Sequence, residues 1–410
     1  MKASLSKFLI LLEKYIETDI NYVLKGFFWI LLGKTGLFII SFIIMTAFAN
    51  FVPKATFGSY QYILAVIGIV SIFSMPGINI SIIKSIAQNK YGTLNFALKQ
   101  KIFFSFIGSI ILICISAWYL FNKNNLFFIT FFIAGLLFPL SQNLLIFREY
   151  WIGIKKFSTL TKYEFLSSLM ISLFFIPILF LTNNLFVIIF SFLILHIIFE
   201  GIFYLKTKNK ISNDEIDVDS IKFGKSLTII NSFSIISNNI DKIIIWKFLG
   251  PIQLAIYSVA FLPIRKIKNS LPISTLALPK MGERDIKTIK NGLKKKFWKL
   301  IIFFLPISVV LYVISPFVYN ILFPKYTESV IYFQILCILI FFIPFTFLES
   351  ALISDKKESA LYKIKIIFPI LKIILFSILI PFYGLFGVIF SILISEIIKN
   401  LMIYYYFEKI

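Results

Sequence analysis

The stretch ISNNIDKIIIWKFLG (residues 236–250) sets Asp241 and Lys242 side by side inside an otherwise oily run. Charges of this kind normally sit in water, and the rest of the chain avoids them. Of its 410 residues 15% are charged, 59% are hydrophobic and 50 are Phe; mean hydropathy is +0.92. Soluble globular domains average about 25% charged residues, so the composition excludes that class. Apolar runs of about 20 residues, long enough to cross a hydrocarbon core of about 30 Å, recur from end to end. Twelve are read, at 27–49, 58–80, 102–121, 126–147, 163–181, 185–205, 226–246, 253–276, 297–322, 328–353, 361–380 and 385–407. The sequence predicts an all-α polytopic membrane protein, with nothing left over for a soluble domain.

The first residues, MKASLSKFLILLEKYIETD, place Glu13, Glu17 and Asp19 where a signal peptide would carry a small-residue cleavage site. Leu5, Phe8, Leu9 and Leu12 are spaced for one helical face. Residues 1–24 are therefore expected to form an amphipathic segment on the inner membrane surface. Cys114 and Cys337 fall inside the third and tenth spans, where neither a disulfide nor a metal site is expected.

The net charge of +22 is a topology signal. With the N-terminus inside and basic residues toward the inner ends of spans counted to that side, 34 of the 41 Lys and Arg fall on the inner side, four on the outer side, and three (Lys34, Lys242, Lys372) remain within spans. This alternation follows the positive-inside rule and predicts both termini in the cytoplasm. It also argues against a nucleic-acid partner. The outer loops are short: FVPKATFG, NKNN, TNN, KFLGPI, FPKYT and PFYG. A glycan polymerase or ligase working outside the membrane would need larger ones. The longest connection, ALPKMGERDIKTIKNGLKKK (277–296), is basic and inner, and fits either anionic headgroups or a plain orientation signal.

The chain repeats itself. FVPKATFGSYQYILA (51–65) and FLGPIQLAIYSVAFL (248–262) share Phe51/Phe248 and Tyr60/Tyr257 at one offset, with Pro53 and Pro251 in the two loops. The offset of 197 residues lays spans 1–6 on spans 7–12, and six spans being even, the repeat is parallel. The expected organisation is a six-helix bundle at 25–205, a cytoplasmic linker at 206–225 carrying the acidic NDEIDVD, and a second bundle at 226–410.

Two stretches carry a family resemblance: FGKSLTIINSFSIISNNIDKIIIWKFLGPIQLAIYSVAFLP (223–263) and KGFFWILLGKTGLFIISFIIMTAFANFVPKATFGSYQYILA (25–65). Both resemble Wzx-type flippases of O-antigen or capsule repeat units, in the multidrug/oligosaccharidyl-lipid/polysaccharide superfamily. That resemblance implies a MATE-like fold, with two bundles around a central cavity that opens alternately to either face. It also implies an undecaprenyl-diphosphate-linked oligosaccharide as cargo, a bacterial inner-membrane location, and a polysaccharide polymerase and chain-length regulator as partners beside membrane lipids.

Such cargo has a multiply anionic headgroup, so buried cations are the feature to look for. A charge at the bilayer centre costs about 2.5–3.5 kcal/mol on insertion scales, which singles out Lys34, Lys242 and Lys372. Adjacent residues do not face one another on a helix, so Asp241 is expected to pair across helices. Asn231, Ser234, Asn238 and Asp241 make one polar stripe along the seventh span, and the 197-residue offset puts Lys34 at the depth of Asn231. These seven residues are the candidate cavity lining. Interhelical packing and outward snorkelling are the alternatives. Arg148 and Arg265, at inner span ends, are candidates for capturing a diphosphate or simply signal orientation. Glu164, His196, Glu200, Glu349 and Glu396 are candidates for a coupling ion, H⁺ or Na⁺. The sequence carries no catalytic constellation and implies no cofactor. The reading is a flippase; a cation-coupled drug exporter of the same architecture is the runner-up.

Overall fold

A computed structural model of the chain describes residues 20–271, 286–355 and 357–409, so residues 1–19 of the segment expected at 1–24 lie outside the described residues, as do 272–285, 356 and 410. All regular structure among the described residues is helical. Among the described residues nine helices are long and apolar enough to cross a membrane, and a further crossing is a pair bent by 44°. Two of the nine are hairpins. The helix through residue 250 breaks at Gly250 (φ 84°) and the one through residue 384 breaks at Gly384 (φ 55°). Such backbone angles are open to glycine at little cost and to other residues only with strain. Side-chain contacts prove the reversals. Tyr257 reaches back to Asp241 and Arg265 to Asn238 across residue 250, and Lys399 stands over the Phe368 ring across residue 384.

About twelve crossings result among the described residues. The first is Ile20–Phe51 and the second Lys54–Val70 continued by Ile78–Ala87. The third is Thr93–Phe121, and the fourth Asn125–Ser141 continued by Phe147–Gly153. The fifth and sixth are Phe157–Leu181 and Leu185–Lys208. The seventh runs from Val218 to the break at Gly250, and the eighth from there to Ser270. The ninth is Ile286–Leu322, and the tenth comprises Ser329–Leu336, Ile338–Phe341 and Phe345–Ser354. The eleventh and twelfth share Glu358–Glu408, folded at Gly384.

The apolar cores are distributed unevenly. At the end carrying residues 51–54 and 323–328, one continuous core joins both halves, from Phe48, Phe57 and Ile63 to Tyr257, Tyr326 and Phe376. At the opposite end two smaller cores replace it, one around Phe147 and Phe203 that also takes in Ile221 of the seventh span, and another around Leu348 and Phe407. Apart from the seam between the second and seventh spans, the halves are therefore sealed at one end and separate at the other. At the sealed end Asn50 donates to the Leu322 carbonyl (3.0 Å), Lys325 donates to the Asn50 carbonyl (2.6 Å), and Lys54 pairs with Glu328 (2.7 Å). Exposed pairs contribute at most about 1 kcal/mol. Tyr326, fully buried, packs edge-on against Phe57 at the same end.

One seam between the halves is tight over its whole length. Gly58 of the second span lies against the Pro251 carbonyl, Gln61 accepts from Lys242 (2.7 Å), Gly77 and Gly224 abut, and Ser81 donates to the Ser220 carbonyl. The connection 209–217 is strapped to the loop between the second and third spans. Asn213 accepts from the Tyr91 N–H and donates to the Asn89 carbonyl, the Asp217 N–H donates to Thr93, and Lys90 pairs with Asp217 (3.5 Å). Asp217 caps the seventh span by accepting from the Ser220 N–H. That bond holds its carboxyl below the ordinary value of about 3.9. A depressed folded-state value means the cap contributes fully above about pH 4 and is lost as pH falls through the lowered value. Protection of the Ser220 amide, its exchange rate relative to the intrinsic rate at each pH, should therefore be high at pH 5 and fall below pH 4 in the wild type, with Asp217→Ala weakly protected at both.

Two expectations change on contact with the structure. Residues 286–296 do not lie along a surface. They form the first turns of the ninth span, because Ile289, Phe297 and Ile301 pack into the core around Leu348, and Lys294 pairs with Glu408 (2.5 Å). All five tryptophans lie close to the ends of the apolar runs, where an aromatic belt is expected; Trp118 and Trp298 are exposed, whereas Trp151 is buried against Thr207 and Trp246 stacks on Tyr62.

Candidate functional site

One cavity opens between the two halves, and a second lies beside it within the C-terminal half. The first, about 340 Å³, has only two walls. Lys34, Leu37, Phe38 and Ser41 come from the first span, and Leu262, Arg265, Lys266, Asn269 and Ser270 from the eighth. A cavity walled by two helices is a crevice, open along its sides. Its lining holds three cations and no carboxylate. Lys266 donates to Ser41 across it (3.1 Å).

The second, about 250 Å³, is enclosed by the seventh, eighth, tenth, eleventh and twelfth spans. Asn238, Asp241, Arg265, Lys268, Lys372, Glu396 and Lys399 line it together with Phe261 and Phe368. Glu396 accepts from Lys268 (2.5 Å) and lies 3.9 Å from Lys399. Asp241 lies 3.9 Å from Lys372 and accepts from the Tyr257 hydroxyl (2.6 Å). Four cations face two carboxylates. Arg265 lines both cavities and joins them.

Of the residues singled out from sequence, the structure brings Lys34 and Arg265 to the crevice, and Asn238, Asp241, Lys372 and Arg265 to the enclosed cavity. Lys242 lines neither cavity: its ammonium is buried in the seam on Gln61. Asn231 and Ser234 line neither, because the helix stops at Ser237 and restarts at Ile240, which ends the stripe's register. Arg148 is paired with Glu164 on the neighbouring span, and the two interact electrostatically with Lys34. His196 and Glu200 hold one another at 2.6 Å within the sixth span.

Sequence reasoning missed Lys266, Lys268 and Lys399, reading them as orientation signals. The spacing Arg265-x-x-Lys268, on one helical face beside an Asn and a Ser, was the available sign. It also missed Lys101. This residue was placed in a loop, but the third span starts at Thr93, so Lys101 is buried in it and donates to Asn79 (2.5 Å).

The family described as "Polysaccharide biosynthesis protein" matches residues 23–283, well over half of the chain. The chain belongs to the polysaccharide biosynthesis protein family. No curated protein matches this family member. Solved structures do match its fold. The lipid II flippase MurJ in an inward closed conformation superposes with a TM-score of 0.68 at 16% identity, over 95% of this chain and 87% of that one. An inward-facing multidrug resistance MATE transporter of the MOP superfamily gives 0.66 at 13%, over 91% and 93%. A MOP-superfamily transporter from Pyrococcus furiosus, described as having a binding pocket of reverse polarity, gives 0.61 at 12%, over 94% and 96%. At these identities the likeness shows the fold alone. This polysaccharide biosynthesis protein is thus a multi-pass membrane protein with the MOP transporter fold.

Proposed function

We propose that the protein moves an undecaprenyl-diphosphate-linked oligosaccharide from the inner to the outer leaflet of a bacterial inner membrane. In this reading the end with separate cores faces the cytoplasm, together with both termini, as the lysine distribution suggests. The observation that carries the reading is the charge of the linings: three cations and no carboxylate in the crevice, four cations against two carboxylates beyond it. Cationic linings attract a diphosphate and repel the cationic drugs of the runner-up.

The two-walled crevice suits the part of the cargo that never leaves the lipid. The isoprenoid tail stays in the bilayer beside the first and eighth spans, while Lys34, Arg265 and Lys266 hold the diphosphate. The sugars then occupy the enclosed cavity, where Phe261 and Phe368 offer faces for stacking, and Asn238 and the lysines offer hydrogen bonds. Release requires the opposite end to part, which breaks the contacts of Asn50, Lys54, Lys325 and Glu328.

Reconstitution in liposomes with a fluorescent undecaprenyl-diphosphate oligosaccharide tests the reading, scoring exposure in the outer leaflet. Export of a cationic dye without movement of the glycolipid would reject it. A second measurement addresses the moving parts. In a Cys114→Ser/Cys337→Ser background, joining Lys54→Cys to Glu328→Cys with a short thiol cross-linker should stop translocation reversibly. Unchanged translocation in the cross-linked protein would mean that the sealed end does not have to open.

A further inference from the structure

Asp241 is 1% exposed. A carboxylate this deeply buried needs a cation, a proton or several hydrogen bonds. Its Oδ2 accepts from Tyr257, its Oδ1 accepts from the Lys242 backbone N–H (3.0 Å), and Lys372 Nζ stands 3.9 Å from Oδ2. The Lys372 ammonium donates to the Ser237 carbonyl (3.0 Å) and sits 5.4 Å from the Phe376 ring centre. The nearest ammonium in sequence, Lys242, is committed to Gln61 on another span. Around the same cavity Arg265 donates to the Asn238 carbonyl (3.1 Å), while Lys268 and Lys399 attend Glu396. Lys372 therefore occupies a position defined by a carboxylate oxygen and a backbone carbonyl oxygen, with a phenol oxygen on the same carboxylate. Oxygen donors of this kind are what a small hard cation such as Na⁺ takes as ligands.

We propose that Asp241 and the Ser237 carbonyl form a monovalent-cation site whose resident cation is the chain's own Lys372 ammonium. The positive charge at this carboxylate is then carried by the eleventh span and not drawn from solution. The 3.9 Å separation leaves the pair without a direct hydrogen bond, so the ammonium can turn toward a competing anion without first breaking one to Asp241. Resting on the flippase reading, the competing anion is the cargo's diphosphate as it passes from the crevice beyond Arg265, and its arrival loosens the seventh span from the eleventh.

The site is tested without transport. Purified wild-type protein should melt at the same temperature in NaCl and in choline chloride at equal ionic strength, and should bind no radiolabelled Na⁺. Lys372→Gln removes the resident cation and leaves the oxygens. It should gain saturable Na⁺ binding and melt about 2–4 °C higher in NaCl than in choline. Asp241→Asn/Lys372→Gln should lose both responses, and Lys372→Arg should behave as wild type. If Lys372→Gln is recovered only when Na⁺ is present, the proposal is supported equally. Two results overturn it: Na⁺ binding by the wild type that Asp241→Asn abolishes, or a Lys372→Gln protein indifferent to Na⁺. Because these readouts need no substrate, a failed glycolipid assay alongside them would reject the flippase reading alone.

Discussion

Arg265→Ala should lower the initial rate of glycolipid translocation about ten- to a hundredfold, at unchanged protein level and melting temperature. Arg265 lines both cavities, so in the proposed reading a diphosphate in the crevice and the first sugar beyond it would both lie beside its guanidinium. Its hydrogen bond to the Asn238 carbonyl uses a single donor of the five on the fork. A hydrogen bond to a charged group contributes about 1.5–3 kcal/mol, and 1.4 kcal/mol corresponds to a factor of ten, which sets the expected range. Arg265→Lys keeps the charge and loses the planar fork, so it should fall between the two. The side chain is half-buried at a helix end and fills no core, so stability should change little. A wild-type rate in Arg265→Ala would remove the link between the two cavities from the mechanism.

Gly58→Val should cost about 3 kcal/mol or more and leave little folded protein in the membrane. Gly58 meets the turn at Gly250–Pro251, where the second span crosses onto the other half, and a Cβ there would fall on the Pro251 carbonyl. The atom in the way is backbone, and the backbone cannot retreat: Gly250 is fixed at φ 84°, Phe57 is fully buried, and Leu254 and Ala255 beyond the turn are buried too. Overpacking of a rigid core costs about 1–3 kcal/mol and more where strain cannot spread. Gly201→Ala is the matched control. Its Cβ would make ordinary contact with Leu144 at 3.6 Å, and Ala favours the helix by up to about 1 kcal/mol over Gly. Equal recovery of the two variants, measured by fluorescence-detected size exclusion, would show that the seam at Gly58 can give.

The crossings were legible because lipid imposes a length. A helix must bury its backbone groups within itself across about 30 Å, so each span announced itself as an apolar run. Even the short loops FLGP and PFYG marked the hairpins at Gly250 and Gly384. Where helices continue beyond the lipid the same reasoning fell short. The third span begins nine residues before its apolar run, and the ninth eleven before its own. That is why Lys101 was taken for a loop residue, and why 286–296 was taken for a surface segment.

By itself the sequence determined that the chain crosses a membrane many times as helices, that cations are kept within it, and that Asp241 and Lys242 must diverge, since neighbours on a helix point about 100° apart. Which of the two would face the cavity was beyond it. The tertiary structure sent Asp241 to Lys372 and Lys242 to Gln61, and it turned the basic end of the eighth span from a presumed orientation signal into a wall shared by two cavities. The physical reason is that lipid solvation acts on each helix separately and is written along the chain, whereas the partner of a buried charge is chosen by helices brought together from more than a hundred residues away.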